Sequence, residues 1–202
     1  MSVRMIGLVS VSGVLLLAAT AGRAWMPVPF PQLEQELQSV NPGPETRALA
    51  PLIGAFNIVG SIPARALAED QPEMRSRGSH LCRWAVGGLF VQCDISDTAR
   101  SGKTALTWTG RVTIGWDYQE KTYRAVAVDR QGTVGMLEGA MRDKVLSLAL
   151  VSSNTMAGKP FKYRLTFDMK DPKEIQFTSE VQQGEKWVKT EIKKLTPAQK
   201  PG

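Results

Sequence analysis

From residue 54 almost to the end of the chain, apolar and polar residues alternate with a period of two. One such segment has on its apolar face Trp108, Gly110, Val112, Ile114 and Trp116. A later one has Phe161, Tyr163, Leu165, Phe167 and Met169. Because successive side chains of a strand point to opposite faces, this alternation predicts half-buried β-strands.

Turn-forming residues separate these segments at short, regular intervals, as at Gly87-Gly88, Gln131-Gly132 and Gln183-Gly184. Such spacing is typical of consecutive hairpins, and it gives about ten strands. A meander of this size avoids exposed edge strands best by closing on itself. We therefore predict a mostly β protein with a single antiparallel up-and-down β-barrel. An open sandwich is the alternative.

The first residues follow a different pattern, in which Arg4 precedes an apolar stretch of fifteen residues from 5 to 19. Small residues then stand at cleavage spacing, which is typical of a secretory signal peptide. We expect residues 1–24 to be this signal, with cleavage after Ala21 or Ala24. A membrane anchor is the alternative, but it needs about 20 apolar residues. The expected location is periplasmic or secreted, with no transmembrane span in the mature chain.

Residues 25–47 are predicted to form a Pro-rich arm, because alternating prolines in 27–31 forbid a helix there. A short helix is expected just after them, and a second one over residues 45–52. Trp25, Met26 and Phe30 have no obvious place in a barrel, so they are predicted to dock on a partner protein. The barrel is assigned to residues 48–195, and a flexible tail to 196–202.

Charge excludes one class of partner. The full chain carries a formal charge of +6, with basic and acidic residues interspersed and no concentrated basic arm. This pattern argues against nucleic-acid binding. Lys193, Lys194 and Lys200, near the C-terminus, are interpreted as part of a solvated strand and tail, with contact to anionic lipid as the alternative.

The two cysteines test the hairpin prediction. A turn centred on Gly87-Gly88 places Cys82 directly opposite Cys93 on one face. A four-residue loop makes them a closely spaced, non-hydrogen-bonded pair, and in an oxidising compartment we expect a disulfide. Two free buried thiols are the alternative.

Candidate chemistry is sparse. His80, the only histidine, is interpreted as a surface or hydrogen-bonding strand residue, with an axial haem ligand as a lesser alternative. A histidine-rich metal site is excluded by count, no metal or other cofactor is expected, and no catalytic residue is predicted. Asp94 and Asp97 are interpreted as solvated turn residues. A third hypothesis, an isomerase or cyclase inside the barrel, needs buried acid or base residues. Its only candidates, Arg83, Arg111 and Asp94, are expected to point outward.

Four short motifs resemble the bacterial calycin-like family called domain of unknown function 1579. They are the Leu49–Phe56 opening followed by Gly60, the Arg83–Phe90 hairpin, the Ile114–Asp117 turn and the closing Gly184–Lys189 hairpin. Phe56 and Trp116 replace a tryptophan and a tyrosine that are usual in the family. The resemblance covers roughly residues 48–195. It implies a lipocalin-like barrel and provides no catalytic residues.

These observations predict an exported, non-catalytic barrel that binds a small apolar or amphipathic molecule or lipid in its interior. The predicted interior residues are Trp84, Trp108, Trp116, Phe161, Tyr163 and Phe177. In one alternative, these aromatic side chains simply fill the barrel as a solid core. A structural subunit whose Pro-rich arm docks on a periplasmic or membrane-associated protein is the other.

Overall fold

Ten antiparallel strands close into a barrel in the computed structural model, which describes residues 41–152, 155–156 and 159–198. The strands are β1 (Gly54–Ile62), β2 (Met74–Ala85), β3 (Phe90–Ser101), β4 (Thr104–Asp117), β5 (Thr122–Asp129), β6 (Val134–Arg142), β7 (Val145–Leu150), β8 (Thr155–Met156), β9 (Lys159–Pro160), β10 (Tyr163–Asp168), β11 (Ile175–Gln183) and β12 (Lys186–Pro197). Strands β8 and β9 pair only with each other, so they stand outside the barrel sheet.

The barrel closes where the first strand meets the last. Strand β1 pairs with β2 on one side and with β12 on the other, with Ile58 opposite Leu195. Every other barrel strand pairs with its neighbours along the chain, except that β7 pairs directly with β10. The predicted up-and-down barrel is confirmed.

A short helical segment covers one end of the barrel, which we call the helix end. Helix α1 (Pro44–Arg47) and a 3-10 turn (Ala50–Leu52) bury Leu49 and Leu52 in the main core. Tyr123 donates its hydroxyl hydrogen to the Glu45 carbonyl at 2.9 Å, which fixes the segment to β5. The helix predicted over residues 45–52 is thus divided between α1 and the 3-10 turn.

The opposite end, where β1 finishes and β12 begins, is called the loop end. The loop of residues 63–73 lies there and buries Ala66 against Ile62, Met74 and Ala99. Gln183, at the end of β11, reaches the Ala66 carbonyl at 3.5 Å. This loop therefore covers part of the loop end.

The hairpin that carries the cysteines agrees with its prediction. Ala85 pairs with Phe90, which leaves a loop of residues 86–89, and Cys82 lies opposite Cys93. The two sulfurs are bonded, and the Cα atoms are 4.0 Å apart. This short separation is that of a non-hydrogen-bonded cross-strand pair.

Other predictions fall partly or wholly outside the described residues. The signal peptide, its cleavage site, most of the Pro-rich arm and the helix predicted within it lie there, and so do Trp25, Met26 and Phe30. Strand β12 runs two residues beyond the predicted barrel end at 195. Within the described ranges, no helix has the length and apolar character needed to cross a membrane.

Candidate functional site

The barrel interior has two parts, and the part nearer the helix end is solid. A cavity of only about 10 Å³ remains there, lined by apolar residues, the disulfide and His80. A volume of this order holds at most one water molecule, whereas ligand pockets usually exceed about 300 Å³. No organic ligand fits here, and a porphyrin bound to His80 does not fit either.

Nearer the loop end, three charged side chains meet inside the barrel, and we call them the ionic cluster. The Lys193 ammonium lies 2.5 Å from Asp97 Oδ2 and 2.7 Å from Glu191 Oε1. The side chains of Lys193 and Asp97 are 7% and 5% exposed, whereas that of Glu191 keeps 28%. Exposure therefore falls steeply from Glu191 inward.

Hydroxyl groups complete the coordination of the ionic cluster. Ser76 donates a hydrogen bond to the Asp97 carboxylate, with distances of 2.7 and 2.9 Å to its two oxygens. The Ser179 hydroxyl lies 3.2 Å from Glu191 Oε2 and 2.8 Å from the Thr190 hydroxyl. Among the described residues, no buried side-chain nitrogen or oxygen lacks a hydrogen-bond partner. The network is satisfied, as a buried polar network must be if it is not to destabilise the fold.

A β-bulge in β12 turns Lys193 inward. Glu180 pairs with Lys189 while Ser179 pairs with Glu191, so Thr190 is an extra residue without a partner of its own. An extra residue reverses the alternation of the strand beyond it. Glu191, Lys193 and Leu195 consequently face the interior, and Ile192 is left exposed.

Two glycines permit close approaches around the ion pair, since the Lys193 side chain must pass β1 and β2 to reach Asp97 on β3. A Cβ atom at Gly60 in β1 would lie 2.7 Å from Lys193 Cγ. One at Gly78 in β2 would lie 2.7 Å from the Asp97 Cα and 2.2 Å from the Ser96 carbonyl oxygen. Contacts this short exclude any larger residue unless the backbone moves. Gly60 therefore leaves room for the Lys193 side chain, and Gly78 lets β2 lie close to the backbone of Asp97.

The electrostatics of the ionic cluster favour a charged lysine. Burial by itself lowers the pKa of the Lys193 ammonium, but Glu191 and Asp97 raise it more, so the pKa lies above its usual value. The ammonium also faces the Phe177 ring, whose centroid is 5.6 Å away. With two carboxylates to one ammonium, the ionic cluster has one excess negative charge.

Two neighbouring groups stay neutral at pH 7. Burial, followed by the positive charge of Lys193, lowers the pKa of His80 to about 4, and Asp97 opposes this shift. Burial, followed by the negative charge of Glu191, raises the pKa of the Tyr163 phenol, which a hydrogen bond with Ser179 opposes. Both side chains are therefore uncharged beside the ionic cluster.

The predicted interior aromatics divide between the two parts of the barrel. Phe177 is buried against Phe167, and half-buried Tyr163 lies beside the ionic cluster near Phe161. Trp108, opposite Asp97 in the β3–β4 pair, is half-buried. Half-buried Trp116 contacts Tyr123 edge-to-face at the helix end.

Trp84 does not belong with them. It has the inward phase of β2 but stands one residue from the end of that strand, and 37% of it is exposed. The prediction that it lies in the interior is wrong, because alternation does not bury a side chain beyond the rim of the barrel.

Three interpretations of polar residues are also corrected. Lys193 was expected to be solvated, yet it is buried by the bulge in β12. Asp97 was expected in a turn, yet it lies inside β3 on the same face as Cys93 and Ala99, a signal that the sequence does contain. Of the two alternatives given for His80, a surface position is wrong, because the side chain is buried on the inward face of β2.

The outward direction predicted for Arg83, Arg111 and Asp94 agrees with the structure, but Asp94 lies inside β3 and not in a turn as expected. Asp94 accepts ion pairs from Arg111 at 2.6 Å and from Arg83 at 3.3 Å on the outer face. The hydrogen bond from Arg111 is the main cause that lowers the pKa of Asp94. Across the described ranges, no group of three or more His, Cys, Asp or Glu residues is placed to hold a metal ion.

Comparison with known proteins adds a family and a structural relative. The profile of the family described as "Protein of unknown function (DUF1579)" matches residues 41–193. The chain belongs to this family. The resemblance noted from the four sequence motifs is thereby confirmed, and the DUF1579 profile spans the helical segment and nearly the whole barrel.

A solved structure with a similar fold is that of the S-type phycobiliprotein lyase CPES from Guillardia theta. The two share 8% sequence identity with a TM-score of 0.51, over 79% of this chain and 100% of the lyase chain. At this identity the similarity shows the barrel fold alone. Among curated proteins, none matches this DUF1579 chain.

We expect Lys193→Met to lower the free energy of unfolding by about 3–5 kcal/mol, because Asp97 is then a buried charge without its ion-pair partner. The matched control is Lys194→Met, whose side chain is 58% exposed and pairs with Glu174. That change should cost at most about 1 kcal/mol. Urea unfolding of both variants measures the difference, and equal losses contradict a buried ionic cluster.

His80 predicts a pH dependence of stability. The pKa is 6.5 in the unfolded chain and about 4 in the barrel, so its contribution is complete above pH 6.5 and is lost as the pH falls towards 4. When the pH is lowered from 7 to 5, protonation of His80 in the unfolded chain should lower the free energy of unfolding by about 2 kcal/mol. His80→Leu should lack this component in urea unfolding, and parallel pH profiles for the two proteins would refute it.

Proposed function

We propose that this barrel is an exported, non-catalytic binding protein for a small amphipathic molecule that enters through the loop end. The ionic cluster is the observation that carries the proposal. Charged groups inside a barrel are costly to desolvate, and here they lie beneath one partly exposed carboxylate, Glu191. A polar group of a ligand can reach Glu191 without opening the apolar core.

The solid part of the interior limits where such a ligand lies. Because only about 10 Å³ is free beside the disulfide, the ligand is placed near the loop end. Trp108, Tyr163 and Phe161 lie towards the loop end of the barrel, and all three are half-buried. Their rings provide apolar contacts, while Glu191 accepts hydrogen bonds from the polar end of the ligand.

The fold supports the proposal in a general way. Barrels of this size can hold one small ligand, and the lyase with the similar fold is named for a phycobiliprotein. That name belongs to the lyase, and we carry no substrate over from it. Export is proposed from the signal pattern of residues 1–24.

Native mass spectrometry of protein purified from its host is expected to show a co-purified small molecule. Titration with that molecule should change tryptophan fluorescence, because Trp108 lies in the proposed binding region. Glu191→Gln should weaken binding about tenfold, the loss of one charged hydrogen bond. Glu185→Gln, in the exposed β11–β12 turn, should change it less than about twofold.

Thermal unfolding of the Glu191→Gln variant controls for loss of the fold. The proposal fails if the protein is consistently empty and no molecule in an amphiphile panel changes its fluorescence. It also fails if a folded Glu191→Gln variant binds as tightly as the unmodified protein.

A further inference from the structure

Five aliphatic side chains form a contiguous patch on the outer surface of the barrel, which we call the aliphatic patch. Its members are between 40% and 60% exposed, and they are Val126, Val128, Val134, Met136 and Val151. In the β5–β6 pair, Val126 lies opposite Met136 and Val128 opposite Val134. The Val151 N–H donates to the Met136 carbonyl at 2.8 Å, so Val151 adjoins the same group.

A shallow groove of about 480 Å³ continues the aliphatic patch across β4, β3 and β2. Val128 lines the groove and belongs to the patch as well. Leu81, on β2, lines the groove as well and is 52% exposed. Arg111 and Arg130 also line the groove. Apolar and cationic groups are thus continuous over the outer faces of five neighbouring strands.

The groove is lined by Arg111, Arg130, Asp94 and Asp129, and neighbouring Arg83 gives this surface one excess positive charge. Asp94 alone serves both Arg83 and Arg111. One carboxylate oxygen of Asp129 accepts hydrogen bonds from the backbone N–H groups of Gln131 and Thr133, each at 2.9 Å. The other oxygen accepts a hydrogen bond from the Trp108 indole N–H. In the described part of the chain, no carboxylate lies within ion-pair distance of Arg130.

We propose that the aliphatic patch and the groove dock this protein on a membrane surface that carries anionic phospholipids. Exposed apolar patches of this kind mark interaction surfaces. Half-exposed valine and methionine side chains can enter the headgroup region, while arginines bind phosphate oxygens. The charges favour this partner over a second copy of the chain, because two copies would bring the same arginines together on molecules that each carry a net positive charge.

The test is co-sedimentation with vesicles, using protein purified in the form to which its host processes it. Vesicles of phosphatidylcholine with one quarter phosphatidylglycerol should bind the protein, and pure phosphatidylcholine vesicles should bind it at least about tenfold more weakly. Raising the salt concentration should reduce the binding, since the arginine contribution is screened.

Matched variants separate the patch from the rest of the surface. Val126→Ser with Met136→Ser should lower the partition coefficient about tenfold. The control is Val59→Ser with Ile192→Ser, 55% and 39% exposed on β1 and β12, which should leave it within about twofold. Arg130→Gln should lower it about fivefold, and Lys173→Gln, in the β10–β11 turn, should have little effect.

Three results would overturn the proposal: no binding to either vesicle, equal binding to both, or equal losses in the patch and control variants. Sedimentation velocity distinguishes membrane docking from contact between two copies of the chain. A dimer that dissociates only in the Val126→Ser, Met136→Ser variant would assign the surface to contact between copies instead.

Discussion

The ion pair between Lys193 and Asp97 is the constraint on which the rest of the interior depends. It joins the last barrel strand to β3 across the seam where β1 meets β12, at 2.5 Å and with both side chains almost fully buried. Desolvating two charges is expensive, so the pair needs its full set of partners. Ser76, Glu191 and the absence of side chains at Gly60 and Gly78 meet that need.

The same constraint divides the barrel into two parts with different capacities. Towards the helix end, Leu49, Leu52 and the disulfide leave almost no free volume, so that part acts as a core. Towards the loop end, Glu191 connects the buried charges to solvent. The proposed binding function is therefore assigned to the loop end, where half-buried Tyr163 and Trp108 lie near the ionic cluster.

Periodicity predicted the barrel because alternation is a property of each strand alone. The face that contains Val112 and Ile114 and the pairing of Cys82 with Cys93 followed from it directly. Asp97 also obeys the alternation, and its burial was missed because carboxylates at such positions are usually solvated.

Other features depend on tertiary structure and have no local signal. The bulge at Thr190 reverses the phase of Lys193, although alternation from inward-facing Val188 onward indicates an outward lysine. Trp84 has the correct phase but lies at the rim, and the length of a strand within the barrel is fixed by its neighbours. The long reach from Lys193 to Asp97 likewise emerges only when β1 and β2 are placed between them.

The most direct test of a buried, charged Lys193 is NMR of the lysine side-chain ammonium groups in ¹⁵N-labelled protein. Buried, hydrogen-bonded ammonium protons exchange slowly with water, so one resonance should persist at neutral pH, assigned to Lys193 by its loss in Lys193→Met. It should remain protonated above the usual pKa of a lysine side chain, because its own pKa is raised. A Lys193 signal that exchanges with water as fast as that of exposed Lys194 would contradict the ionic cluster.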